Sequence, residues 1–287
     1  MTPTTLAEAE TAWSSVFGDG RLPLGRLRRN LDAMMSETPV PSSVPVASDT
    51  IADVPCLRVG TGTRTLVWFH GGGYVMGSPH GYRAAAATLS AALDAQVLLP
   101  DYRLAPEHPF PAAFDDATAV LTALGSADTL IAGGDSAGGG LALAATIAAR
   151  DRGAAVPSAV LAVSPLADFT ASGDSFTTNV GTDPVISTRA LRGLAASYLR
   201  GHDPRDPRVS PLFAGFHDLP PILFLASDRE ALRDDAVRMH ATARAAGNRG
   251  ALSIHPDACH AWTLFADLPQ ARRALAEMTD FVNGALP

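Results

Sequence analysis

The sequence predicts an α/β architecture: a mostly parallel central sheet with helices on both faces and a helical cap. Three observations carry that expectation. Short, continuous apolar runs recur along the chain, as in Leu66-Val67-Trp68-Phe69 and Val160-Leu161-Ala162-Val163. Ala-rich, helix-forming stretches separate most of them, the pattern of strands buried on both faces by crossover helices. At 287 residues and 47% hydrophobic content, the chain can bury a core of that size.

Taken in order, residues 6–17 and 24–35 read as two helices, the second with Leu24, Leu27, Leu31 and Met34 on one face. Gly18, Gly20 and Pro23 separate them. Pro39, Pro41 and Pro45 break the chain before an extended stretch at 44–59. Strands are expected at 66–69, 97–99, 130–132, 160–163, 222–225 and 252–254. Helices are expected at 82–94, 112–124, 137–150, 231–246 and 269–285. The interval 168–219 breaks this rhythm with Pro184, Pro204, Pro207, Pro211 and one helix at 188–199. It reads as an insertion at the carboxyl ends of the strands, where such sheets bind ligands. With residues 1–42 it would form a cap on one domain spanning 1–287.

Charge and cysteine usage exclude several function classes. A net charge of −7 argues against nucleic acid or an anionic membrane as partner, since both require a basic face. All 22 basic residues are arginine, a bias best read as genomic. The two cysteines, Cys56 and Cys259, lie far apart and call for no disulfide framework. The first ten residues show no signal-peptide pattern, and no uncharged apolar run reaches the ~18 residues of a membrane span. A soluble, cytoplasmic protein without membrane insertion is expected. There is no HExxH, no CxxC and no GxGxxG after a strand, so neither metal nor cofactor is expected.

The chemistry concentrates at Gly134-Asp135-Ser136-Ala137-Gly138, directly after the apolar run 129–133. A strand ending at a serine between small residues, then an Ala-rich helix, describes a nucleophile elbow. A near copy, Gly173-Asp174-Ser175-Phe176-Thr177, has no strand before it. Upstream, His70-Gly71-Gly72-Gly73-Tyr74 follows the strand at 66–69. Bare backbone there, with the Ala137 N–H at the following helix N-terminus, would suit an oxyanion hole built from Gly72, Gly73 and Ala137.

Together these residues resemble the hormone-sensitive-lipase-like carboxylesterases of the α/β-hydrolase superfamily. The resemblance covers His70 to Gly73, Gly134 to Gly139, Ser164-Pro165 and the run Asp101-Tyr102-Arg103-Leu104-Ala105-Pro106-Glu107-His108-Pro109-Phe110-Pro111-Ala112. That run is the most family-specific, and Arg103, Pro106 and Glu107 are expected to brace a loop rather than to react. The resemblance implies the α/β-hydrolase fold and an ester substrate.

In this fold the base follows the nucleophile in chain order, with the acid between them. Five histidines follow Ser136. His202 and His217 fall in the expected cap, His240 in a helix, and His255 at a strand end. His260 follows the last strand in a loop, where the family keeps its base. The acid departs from the family pattern, which resembles Asp-Pro-Leu-Arg-Asp-Glu; here the stretch reads Glu230-Ala231-Leu232-Arg233-Asp234-Asp235. Register favours Glu230, with Asp228 as rival, while Asp234 and Asp235 read as early-helix carboxylates. Asp135 is expected to be structural and Cys259 a buried filler.

The resulting expectation is a serine carboxylesterase acting on short- to medium-chain acyl esters through Ser136, Glu230 and His260. Amides, lactones or carbamates, acyl transfer, and ligand binding without turnover are the alternatives. Phe17, Leu24, Leu27, Leu31, Phe169, Leu191, Leu194 and Tyr198 are candidate pocket residues, with core packing as the competing role. The apolar last strand, 250–255, could pair edge to edge in a homodimer.

Overall fold

The computed structural model describes residues 2–18, 22–127 and 129–286; Gly20, expected between the first two helices, lies outside the described residues. The chain opens with α1 (Leu6–Phe17) and α2 (Leu24–Ser36). An antiparallel hairpin follows, β1 (Val46–Ile51) and β2 (Val54–Val59), where only an extended stretch was expected. Its two-residue turn, Ala52-Asp53, has φ of 49° and 64°, the mirror-image geometry that matches strand twist. Ala52 carries no turn signal, so the sequence alone does not divide the stretch into two strands.

Next come β3 (Arg64–Phe69), α3 (Arg83–Leu93), β4 (Ala95–Pro100), α4 (Ala112–Ala123), β5 (Leu130–Asp135), α5 (Ala137–Asp151) and β6 (Ala159–Val163). The insertion then holds a short α6 (Ser175–Thr178), α7 (Thr188–Tyr198) and a 3₁₀ turn at Pro211–Phe213. The chain closes with β7 (Ile222–Ser227), α8 (Arg233–Ala245), β8 (Ala251–His255) and α9 (Pro269–Ala285).

All eight strands join one sheet in the order β1-β2-β4-β3-β5-β6-β7-β8. From β4 to β8 every pairing is parallel, while β2 runs antiparallel to β4. Every residue of β5, β6 and β7 is buried, as continuous apolar runs demand of strands covered on both faces. The edge strand β1 is polar and largely open to solvent. This is the α/β-hydrolase fold, and it puts the carboxyl ends of β3, β5, β6 and β7 side by side.

The Asp101–Ala112 run is a loop braced through Arg103 and Glu107. Arg103 binds Asp116 through Nε and Nη2, with Nη2 to Oδ1 at 2.7 Å. Glu107 receives both terminal nitrogens of Arg28, at 2.8 and 2.7 Å, which ties α2 to this loop. That pairing, with its own backbone amide, holds the Glu107 carboxyl down to about 2.

Candidate active site

Ser136 occupies the single-residue turn between β5 and α5 with φ 55° and ψ −122°. A side chain at positive φ costs of order 1–3 kcal/mol and persists only where surroundings over-determine it. Here the Ser136 N–H donates to Val163 O at 2.8 Å, and its carbonyl accepts from Leu166 N at 2.9 Å. The close approach of α5 to β3 needs a bare backbone: a Cβ on Gly138 would lie 1.9 Å from the Phe69 carbonyl oxygen. The sequence spacing therefore encodes the turn directly.

From the opposite side, the loop after β8 brings His260 Nε2 to 2.9 Å from Ser136 Oγ. Nδ1 of the same ring lies 3.3 Å from Glu230 Oε2, at the end of β7. All three side chains are buried. The other Glu230 oxygen accepts from Ser164 Oγ at 2.8 Å and from Ser227 N at 3.1 Å. Burial raises the Glu230 carboxyl above its usual range, against the pull of His260. Burial also opposes the charged imidazole, but the hydrogen bond and charge of Glu230, with Asp183 and Asp135 behind, outweigh it and leave His260 raised. Asp228, the rival carboxylate, is exposed: its backbone pairs with Asn179 and with the His255 carbonyl, and its side chain has a 3.5 Å contact from Ser227 Oγ.

Gly72 and Gly73 follow β3 with φ of 114° and 63°. Among the described residues their N–H groups and that of Ala137 donate to no protein acceptor, the last because it opens α5. Gly72, Gly73, Ser136 and His260 line the same cleft. The loop is held from below: Asp135 accepts from Trp68 Nε1 at 3.1 Å and from Tyr82 Oη at 2.9 Å, and that tyrosine oxygen accepts from Gly71 N at 3.0 Å. Burial pushes the Asp135 carboxyl up to about 6. His70 does not reach the cleft; it stacks on Tyr102 at 4.2 Å, and burial pushes it down to about 4, so it is neutral.

The cleft encloses about 640 Å³. Phe17, Leu24, Leu27 and Leu31 from α1 and α2 form one wall, and Ile186 and Leu194 the other. Three candidate pocket residues belong elsewhere. Phe169, Leu191 and Tyr198 are buried away from the cleft, with Tyr198 stacked on Tyr74 at 4.0 Å and Phe169 6.0 Å from the same ring. The other histidines lie apart from Ser136: His202 pairs with Asp206, His217 with Asp218 and His255 with Glu277, while His240 packs edge-on to Phe224. Cys259 is buried and its thiol is pushed up to about 12, in keeping with an apolar filler. Among the described residues no cluster of three metal-ligating side chains occurs.

Sequence reasoning missed several supporting groups. Asp235 lies in the first turn of α8, as expected, but it is fully buried, and its Oδ2 accepts the N–H groups of Ala167 and Asp168 at 2.8 and 3.0 Å. Burial raises it to about 8. Ser164 bridges the two loops that matter, donating to Glu230 Oε1 and accepting from Ala261 N at 3.1 Å. Asp183 and Asn179 tie the insertion to the acid loop through Ala231 N and the carbonyls of Asp228 and Glu230. Only Ser164 carried a readable signal, a Ser-Pro pair ending the strand next to β5.

Comparison with known proteins gives the family. Residues 66–264 match the family described as alpha/beta hydrolase fold. The chain is 39% identical over 227 residues to an acetyl-hydrolase of Streptomyces hygroscopicus, covering 77% of this chain and 76% of the other. It is 34% identical over 227 residues to an esterase of Acinetobacter venetianus, covering 77% and 75%. A crystal structure of an esterase from the bacterial hormone-sensitive lipase family superimposes with a TM-score of 0.94 at 34% identity, covering 98% of both chains. The chain belongs to the α/β-hydrolase family, among the bacterial hormone-sensitive-lipase esterases. It is a carboxylic ester hydrolase.

Proposed function

We propose that the protein is a serine carboxylesterase that cleaves short- to medium-chain acyl esters through an acyl-enzyme. The observation that carries this reading is the buried hydrogen-bonded line from Ser136 Oγ to His260 Nε2 and from Nδ1 to Glu230, at 2.9 and 3.3 Å. As Ser136 Oγ attacks the ester carbonyl carbon, its proton passes to His260 Nε2. Glu230 holds the ring and stabilises the imidazolium. The tetrahedral oxyanion sits against the N–H groups of Gly72, Gly73 and Ala137, each worth roughly 10²–10³ in rate. His260 then protonates the departing alkoxide, leaving the acyl group on Ser136. A water that gives its proton to His260 attacks that acyl carbon, and the acid leaves as Ser136 regains the proton.

In this reading the α1–α2 pair and the insertion act as a cap whose apolar wall takes the acyl chain. Each methylene buried there contributes about 0.8 kcal/mol, or roughly fourfold in kcat/KM, until the cleft is filled. The direct test is p-nitrophenyl butyrate hydrolysis by wild type and Ser136→Ala. A rate that vanishes in the variant supports the reading; equal rates in both would overturn it.

A further inference from the structure

The 260–261 peptide beside the base is gripped at both of its polar atoms, from opposite sides. Its N–H, on Ala261, donates to Ser164 Oγ at 3.1 Å, and Ser164 in turn donates to Glu230. Its carbonyl, on His260, accepts the indole N–H of Trp13 at 2.9 Å, across 247 residues of sequence. Ser164 directly follows β6, but Trp13 belongs to α1, the first helix of the proposed cap. Ala261 has φ 49°, so the peptide sits in a turn that its neighbours must hold.

Trp13 is itself firmly placed. It is 5% exposed, and a buried indole N–H needs an acceptor. Its ring stacks on Phe17 at 6.2 Å, meets Phe265 edge-on at 6.0 Å, and lies 6.3 Å from the His260 ring. The start of α1 is fixed by a capping box between Thr5 and Glu8. One turn before Trp13, Glu10 accepts from Arg229 Nη2 at 2.9 Å, and Arg229 adjoins the acid Glu230. The same helix therefore holds the base loop through Trp13 and the acid loop through Glu10.

From this geometry we infer that Trp13 is a positioning residue for His260: α1 sets the aim of the base as well as forming a wall of the cleft. The inference rests on His260 being the base of the proposed mechanism. Misplacing a base by a fraction of an ångström slows chemistry even for a substrate that hardly touches the cap. A residue that served only as pocket wall would instead raise KM for longer esters and spare the smallest.

The test compares Trp13→Phe with wild type on p-nitrophenyl acetate and hexanoate, with rates normalised to sites titrated by phenylmethylsulfonyl fluoride. Phenylalanine keeps an aromatic ring and loses the N–H donor. The expected result is a fall of about tenfold or more in kcat on acetate, as large as that on hexanoate. The acid limb of kcat/KM should also move to lower pH. The charged and titratable groups around His260 are Glu230, Asp183 and Asp135, and loosening the Glu230 contact removes the main influence that raises the imidazole. Should Trp13→Phe fail to fold, benzothienylalanine at position 13 keeps the indole shape without the donor and gives the same readouts. An unchanged acetate kcat with an unmoved acid limb in either variant overturns the inference. Ser136→Ala and His260→Ala run alongside: activity surviving in them would refute the mechanism itself, whereas two dead controls beside a normal Trp13 variant would refute only the role of Trp13.

Discussion

Ser136 and Ser175 stand in nearly the same words, Gly-Asp-Ser-Ala-Gly and Gly-Asp-Ser-Phe-Thr, and do unrelated work. Ser136 directly follows a fully buried strand, takes a φ of 55°, and meets His260 from the loop after β8. Ser175 opens a four-residue helix in the insertion. Its hydroxyl donates to Ala231 O at 2.6 Å and accepts from Asp234 N at 3.2 Å, stitching the insertion to the start of α8. The difference is the strand in front and the three glycines, Gly138 to Gly140, behind. Only a strand entering a tightly packed helix strains the serine outward. A short pattern acquires chemistry from the elements that flank it.

Replacement of each serine by alanine should split the pair most widely. Ser136→Ala should lose about 10⁴–10⁶ in kcat, since nucleophile and base act as a unit. The check is butyrate ester hydrolysis by protein whose circular dichroism matches wild type. A second contrast sets Glu230 against Asp228. Glu230→Gln should lower kcat by about 10²–10⁴, because a neutral amide no longer supports the imidazolium. Asp228→Asn, at an exposed carboxylate with no hydrogen bond to the ring, should stay within about threefold. Comparable losses in the two variants would move the acid role away from Glu230.

How far such contrasts could be read in advance depends on whether the signal was local. The elbow was legible because strand, serine and helix are consecutive. The last histidine was legible because chain order and a loop position singled it out. Glu230 and Asp228 lie two residues apart, and their directions are set by Ser164 and Ser227, which the sequence does not link to them. Helix α7 shows the limit of pattern reading most clearly. Ala190, Gly193, Leu194 and Ser197 form one helical stripe facing the cleft, while Leu191, Ala195 and Tyr198 form the adjacent stripe facing the body of the protein. With both faces covered, apolar residues alone cannot say which stripe meets the substrate.

The pH dependence of kcat/KM gives a smaller effect. His260 must be neutral to accept the serine proton, so activity falls about tenfold per pH unit below the apparent pKa of the coupled His260–Glu230 pair. Glu230 and the carboxylates behind it raise the imidazole despite its burial, which puts the acid limb above the ordinary histidine value of about 6.5. In Glu230→Gln burial acts without that opposing charge, so the limb of the residual activity should shift to lower pH. A limb unmoved by the substitution would mean that Glu230 does not govern the titration.

Ser175→Ala closes the comparison with the smallest expected effect on activity. The side chain is fully buried, so the variant leaves the Ala231 carbonyl and the Asp234 N–H each short of one partner. Such losses typically cost about 1–3 kcal/mol of stability. Thermal unfolding should therefore begin a few degrees lower, while kcat on acetate stays within about twofold. Ser175 touches α8 and the loop before it, whereas Ser164 and Trp13 hold the 260–261 peptide from other elements. A large fall in kcat with unchanged stability would show that the insertion tunes the site through Ala231 and the neighbouring Glu230, and the two serines would then be functionally coupled rather than merely alike in sequence.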